Sequence, residues 1–528
     1  MWQLLSRASR RLSALLPLAY GVSLILVLVT LVYSGTAYAL ALMLIVGCCT
    51  LPAVLWVTSG TKTMPLLAFL SLQDTLWYGL PLIVHNKKLA PFDDDEILWS
   101  AATVALYSLS LAAAGAVMRR VYVPPNERAL RVAIGDYSTR RRIRRATFLV
   151  LIGAIVIEWL LINGTIGRVL GAYFITLRSA IHSILAVGEA SAALYLAHEL
   201  GRGRLSSGGK WLLICLIATL SLMRVLQFLL SSSILLLAAV ILGLFLGGLR
   251  IPWKTIIGVT LVFSVLNVGK FEMRAKYWSN KKLDYAAPQI HEIPGYLGEW
   301  VNDSFRLMFS DDRHFVSKEA KHRQGLSERI SHLEMVAYVN RRLNSNYSLL
   351  LGETYSQVPF VLVPRVLWQD KPRGHIAQEI LSVHFGLQNR EQTWTTYIAW
   401  GQVPEAIGNF GPLFGPIAIG VFLGIVLGAV EKWTSVTPLL SVRGIAAGIL
   451  TLNVISITEN SSTVIVSTAV QQMSVALATV VPFLSRKPIA RRADSGRIGL
   501  GDRATGRPAE AGFGRPNAGM PSNILRRR

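Results

Sequence analysis

The chain has 528 residues, 52% hydrophobic and only 16% charged, where a soluble protein of this size carries roughly a quarter charged residues. The deficit is concentrated in long apolar runs, which excludes a single large soluble core and points to membrane spans. The net charge of +23 invites nucleic acid as a partner, but most of it lies in two segments beside apolar runs. Arg119–Arg145 holds nine arginines against Glu127 and Asp136, and residues 485–528 hold eleven basic residues against three acidic ones. In such places Lys and Arg retain loops in the cytoplasm and contact anionic lipid, and no ordered basic face for nucleic acid is evident.

A helix needs about 20 residues to cross the hydrocarbon core. The candidate spans are Ala14–Ser34, Ala37–Val57, Met64–Val84, Ile97–Met118, Thr147–Ile162, Ile175–Ala197, Trp211–Leu229, Ser232–Leu249 and Trp253–Val268. After a long polar interval come Phe410–Val430, Leu439–Ile457 and Thr463–Leu484. Ala37-Tyr38-Ala39 resembles a cleavage site, but the run before it is too long for a cleaved signal and another apolar run follows at once, so the first helix is expected to be retained. Cys48, Cys49 and Cys215 all lie inside apolar runs and imply no disulfide framework or thiolate zinc site.

Short loops rich in Lys and Arg face the cytoplasm. With Arg7, Arg10 and Arg11 inside, the loops carrying Lys62, the cluster at 119–146, Arg202/Arg204/Lys210, Arg250/Lys254 and Lys432 all fall inside, as does the basic tail. The expected architecture is an all-α polytopic membrane protein of about twelve spans with both termini cytoplasmic: 1–268 with nine spans, a large extracytoplasmic (periplasmic) loop at 269–409, three spans within 410–484, and a disordered basic tail at 485–528. Within the loop, Leu326, Ile330, Leu333, Val336 and Val339 recur at helical spacing, and Ile376, Ile380 and Val383 suggest a second amphipathic helix. Leu349–Trp368 is apolar but broken by Glu353, Pro359 and Pro364, so an interfacial or re-entrant piece is expected there.

Ionisable residues inside spans suggest function. Arg178, His182 and Glu189 share one face of the sixth span, and the seventh carries Arg224; both arginines lie toward the outer leaflet and suit an anion. Satisfied interhelical pairs are the plainer account of such residues. The outer loop adds Arg274, Arg306, Arg365, Lys371 and Arg373. The acids Asp93-Asp94-Asp95-Glu96 could bind a divalent cation, as in some lipid-sugar glycosyltransferases, but capping the fourth span's amino end needs no ligand and is preferred.

Two local patterns stand out. Pro364-Arg365-Val366-Leu367-Trp368-Gln369-Asp370-Lys371-Pro372 is a Pro-bounded loop whose cations and interfacial Trp suit a lipid phosphate; Glu405-Ala406-Ile407-Gly408-Asn409-Phe410-Gly411 puts a carboxylate and an amide at the mouth of a glycine-rich span. At Pro364/Arg365/Trp368/Lys371/Pro372, at Glu405/Asn409/Phe410/Gly411 and at Gly352-Glu353-Thr354-Tyr355 the sequence resembles the oligosaccharide repeat-unit polymerase (O-antigen polymerase) family of bacterial envelopes. The match is close over about 352–428.

The resemblance implies a metal-independent membrane glycosyltransferase of the bacterial cytoplasmic membrane that needs no cofactor. It would transfer a glycan from polyprenyl pyrophosphate to a second lipid-linked repeat unit, working beside a flippase and a chain-length regulator, for O-antigen, capsule or exopolysaccharide. Arg365, with Lys371 or Arg274, would hold the pyrophosphate, with Arg178 and Arg224 as further donors. Trp368 and Asn409 would contact the substrate, and Glu405 would position the acceptor or take its proton. A carboxylate that orients Asn409 or pairs with a loop arginine is an equal alternative for Glu405. A surface-glycan ligase with the same donor, and a lipid-linked glycan flippase or transporter, are the rival functions.

Overall fold

The computed structural model describes residues 2–59, 63–123, 137–171, 173–249, 253–277, 292–309, 331–363, 367–368, 370–394, 396–435, 442–454 and 457–480, and every regular element among them is helical. α1 (Trp2–Ser34) ends at Gly35. α2 (Thr36–Cys49) and α3 (Leu51–Thr58) form one run broken only at Thr50, where Pro52 contributes no amide and the Thr50 hydroxyl donates to the Val46 carbonyl at 2.6 Å. α4 (Leu66–Ile83) follows. α5 (Asp94–Val121) opens on a capping box, in which Glu96 reaches back to accept the Asp93 amide at 2.9 Å. The acidic cluster is therefore the start of a helix, where negative charge meets the free amides.

α6 (Tyr137–Ile162), α7 (Thr165–Leu170), α8 (Tyr173–Gly201), α9 (Ser207–Leu226), α10 (Leu230–Gly247), α11 (Trp253–Tyr277) and α12 (Ile293–Phe309) follow in order. The interval expected outside the membrane then supplies α13 (Leu333–Asn344), α14 (Glu353–Ser356), α15 (Val358–Leu362), α16 (Ile376–His384) and α17 (Gln402–Phe410), and the chain closes with α18 (Phe414–Trp433), α19 (Val442–Val454) and α20 (Ser462–Val480).

Seven helical stretches among the described residues are long and apolar enough to cross a membrane: Leu12–Ser34, Thr36–Thr58, Leu66–Ile83, Asp94–Val121, Arg141–Ile162, Ser207–Leu226 and Phe414–Trp433. The remaining expected spans fall on α8, α10, α11, α19 and α20. Leu24, Val32, Trp211, Leu261 and Phe422 point outward and are more than half exposed, an apolar surface suited to lipid rather than water.

Helices approach closely where glycine removes the side chain. Gly420, Gly424 and Gly428 lie at a spacing of four on α18, and a Cβ on Gly424 would stand 2.6 Å from the Leu111 carbonyl oxygen of α5. This small-residue seam lets two apolar helices pack backbone to backbone without a hydrophobic drive from water. Gly243 and Gly247 of α10 make the same kind of approach to α8 at Leu194 and His198.

Two sets of polar contacts mark opposite ends of this bundle. At one end, buried Glu431 of α18 accepts the Leu67 amide at the start of α4 (2.8 Å) and Arg119 from the last turn of α5 (3.2 Å). At the other, Glu96 at the start of α5 pairs with Arg341 of α13, and Lys88 meets Glu334 at 3.0 Å. The helices of the long interval thus pack against the end away from Arg119.

Three expectations shift. α11 runs past Val268 to Tyr277, because α12 folds back along it: Trp300 donates to the Leu266 carbonyl (2.8 Å) and the Ser304 hydroxyl takes the Gly269 amide (3.2 Å). Phe410 closes α17 instead of opening α18, with Gly411 between them. On α16 the buried side is Ala377, Gln378, Glu379, Leu381 and Ser382, while Val383 is exposed; Leu381 underlies Gly408, and Ser382 accepts the Trp400 indole at 2.8 Å. In the first amphipathic pattern, Leu333, Val336 and Val339 lie buried on α13 as expected, but Leu326 and Ile330 fall outside the described residues. Among its described residues Leu349–Trp368 contains only the short α14 and α15. The tail at 485–528 and residues 124–136 of the basic segment also lie outside the described residues.

Candidate functional site

α17 is nine residues long, and every residue from Gln402 to Asn409 is buried. It enters through Gly401, whose φ of 77° and contact with the Thr458 carbonyl leave no room for a Cβ. Asn409, fully buried, joins three segments: its Oδ1 accepts the Gly352 amide (3.1 Å), and its Nδ2 donates to Thr354 Oγ1 (2.9 Å) and to the Glu405 carbonyl (2.7 Å). Tyr355 stacks on Phe410 with centroids 5.6 Å apart. The Gly352–Tyr355 and Glu405–Gly411 elements are thus one structural unit.

Glu405 is also fully buried. Its two oxygens take the amide and the hydroxyl of Ser462, each at 2.6 Å, and Gln402 Nε2 lies at 3.4 Å. Ser462 opens α20, so the carboxylate caps that helix and meets the positive end of its dipole. Burial pushes the Glu405 pKa above the ordinary range and the Ser462 donors pull it back. Among the described residues Glu405 makes no ion pair. Burial and the nearby Glu405 carboxylate likewise hold the Tyr355 phenol well up, and the Tyr355 hydroxyl is buried with no hydrogen-bond partner among the described residues.

The segment between α19 and α20 is held at its other end as well. Thr458 donates its hydroxyl to Asp74 of α4 at 2.8 Å, and Tyr107 of α5 reaches the second Asp74 oxygen at 3.3 Å. Gln402 Nε2 donates to the Asn460 carbonyl at 2.8 Å. Beside this segment lies a cavity of about 780 Å³ between α4, α8, α10, α19 and α20. Leu72, Leu76, Val187, Leu235 and Ile465 help make it mostly apolar, while Glu459, Asn460, Gln73 and Trp77 supply polar or amphipathic wall.

The expected cations are placed less simply. Arg365 lies outside the described residues, as does the side chain of Arg178. Trp368 is partly exposed and sits edge-on to Phe360. Lys371 donates to the carbonyls of Val361 (3.0 Å) and Val363 (2.7 Å), at the carboxyl end of α15. Arg274 donates to the Phe228 carbonyl at 3.0 Å. Arg224 is buried against Glu189, with Glu158 at 3.9 Å, and donates to the Ser232 carbonyl at 3.1 Å. Arg224 and Arg274 therefore serve carbonyls around the α9–α10 break, where an interrupted helix inside a membrane leaves groups that must be satisfied. Arg373 pairs with Glu379 at 2.9 Å and covers the Trp394 ring. Among the described residues no group of three or more His, Cys, Asp or Glu is placed to hold a metal ion.

Glu405 and Asn409 are thus brought together, with Thr354, Tyr355 and Ser462. The residues that sequence reasoning passed over are Asp74's partner Thr458 and the cavity pair Glu459 and Asn460. Their signal is the polar run Thr458–Thr463 between two apolar helices.

Among the described residues, fold and site together define an all-helical protein with seven helical stretches long and apolar enough to cross a membrane and a buried carboxylate that caps a helix. No family model, curated protein or solved structure matches the chain.

Proposed function

We propose that the protein polymerises polyprenyl-pyrophosphate-linked oligosaccharide repeat units at the outer face of the bacterial cytoplasmic membrane. The observation that carries this is the meeting of the Gly352–Tyr355 and Glu405–Gly411 elements at Asn409, on a segment that borders an apolar cavity in the bundle. In this reading about twelve spans place both termini in the cytoplasm and the 269–409 interval outside, at the end of the bundle marked by Glu96 and Arg341.

The chemistry needs no nucleotide sugar, metal or other cofactor. A hydroxyl of the acceptor unit attacks the donor's anomeric carbon, and polyprenyl pyrophosphate departs with the bonding electrons. A cation at the departing diphosphate lowers the barrier by meeting charge as it develops. Arg365 is assigned that role, since Lys371 and Arg274 already serve backbone carbonyls. Glu405 has both oxygens committed to Ser462, so it anchors the α19–α20 segment and does not take the acceptor's proton. A flippase and a chain-length regulator are the expected partners.

The test is the size distribution of surface glycan in a strain lacking the protein, complemented with wild type or with Arg365→Ala. Single-unit glycan without a ladder, in both the null strain and the variant, supports polymerisation and the Arg365 role. Full-length polymer retained on its lipid carrier would show a ligase instead, and single units trapped on the cytoplasmic side a flippase.

A further inference from the structure

Glu459 is the only charged residue lining the cavity among the described residues. It sits on a segment fixed at both ends, Thr458 on Asp74 and Ser462 on Glu405, with the Asn460 carbonyl held by Gln402. Only Glu459, Asn460 and Ser461 lie between these anchors, and the first two line the cavity. A short segment held this way presents its side chains with little freedom left to lose on binding.

The facing wall is complementary. Gln73 and Trp77 are four residues apart on α4 and so share a face. The His332 ring stacks on Trp77 with centroids 4.9 Å apart, which fixes the indole. A carboxylate, two carboxamides and a flat indole match a sugar ring. Its hydroxyls donate to carboxylate and amide oxygens and accept from amide nitrogens, while its C–H face lies against an aromatic ring. No Lys or Arg lines the cavity among the described residues, so this wall disfavours a diphosphate.

We infer that this wall receives the acceptor sugar, and that Glu459 is the catalytic residue that takes the proton of the attacking hydroxyl. The inference rests on the polymerisation reading. The acceptor O–H bond breaks and its proton passes to the Glu459 carboxylate. The freed oxygen forms a bond to the donor's anomeric carbon, and the bond from that carbon to the pyrophosphate oxygen breaks with its electron pair leaving on polyprenyl pyrophosphate. The proton then passes from Glu459 to the departing diphosphate, which restores the carboxylate.

The experiment reconstitutes the full chain in proteoliposomes with the polyprenyl-pyrophosphate repeat unit extracted from a strain lacking the protein, and follows formation of dimers and longer products. Wild type extends the unit. Glu459→Gln lowers kcat by about 100-fold or more, the low end of general-base catalysis, with KM within a few-fold, and Glu459→Asp falls between. Trp77→Leu raises KM about tenfold and leaves kcat near wild type, which keeps the test open if the Glu459→Gln protein fails gel filtration. Wild-type extension with Glu459→Gln within threefold of it, or with Trp77→Leu unchanged where the Gln variant cannot be purified, overturns the inference and leaves polymerisation standing. A wild-type protein that leaves the unit unextended removes both.

Discussion

The Glu405 carboxylate binds both the amide and the hydroxyl of Ser462, each at 2.6 Å, although 57 residues separate the two in the chain. One short buried helix therefore fixes where α20 begins. Because Asp74 holds Thr458 four residues earlier, the intervening segment is gripped from both sides. Its position beside the cavity is set by two carboxylates that themselves face protein.

The Glu405 contact has a pH signature. Its pKa is raised by burial, so the folded protein binds that proton more tightly than the unfolded chain. The stability this contributes is fully present below the ordinary glutamate value of about 4.3 and is lost as pH rises through the raised value. Thermal unfolding in detergent should therefore show the Glu405→Gln variant gaining on wild type as pH is taken from 4 to 8. A constant difference between the two would contradict the assignment.

His332 should behave in the opposite sense. Its ring is buried on Trp77, both ring nitrogens lack a hydrogen-bond partner among the described residues, and burial, with the Lys88 cation, holds its pKa down to about 3. Stability from the neutral ring is present above the ordinary value of about 6.5 and is lost as pH falls toward 3. His332→Phe keeps the stack and removes the titration. Its melting temperature relative to wild type should rise between pH 8 and pH 5, and a fall over that range would count against this placement.

The α5–α18 seam predicts a steric penalty. A Cβ on Gly424 meets the Leu111 carbonyl oxygen at 2.6 Å, whereas one on Gly21 of α1 meets nothing within 4 Å. Gly424→Val should destabilise by about 1–3 kcal/mol or more, as overpacking does, whereas Gly21→Val should be neutral or stabilise by a few tenths, since valine has the higher helix propensity. Unfolding midpoints of the two purified variants give the comparison.

Arg224 and Glu189 should be coupled. Removing one member of a buried pair leaves the other charge uncompensated, at about 3–5 kcal/mol. Arg224→Met alone should sharply reduce the yield of folded protein from membranes. The double variant Arg224→Met/Glu189→Leu should recover much of that loss. Additive losses in the four-variant cycle would show that the pair seen here does not form.

Much of the architecture was legible in the chain because hydropathy and capping are local. Among the described residues most of each expected span falls on helix, and Asp93 and Glu96 announce the start of α5 through their spacing alone. The Glu405–Gly411 and Gly352–Tyr355 elements were also visible as patterns. That they share Asn409 was not, since nothing local links residues 55 or 57 positions apart.

The roles of the ionisable residues were decided by tertiary structure. Arg224 reads in sequence as either an anion donor or half of an interhelical pair, and sits against Glu189; Glu405 reads as either a base or a structural carboxylate, and caps α20; Glu459 falls in a short polar turn and lines the cavity. Sequence alone determined where the chain turns helical and apolar, because those properties belong to runs of neighbouring residues. Which group a charge meets depends on what packs against it, and Thr458 finds Asp74 across 384 residues only once the helices are assembled.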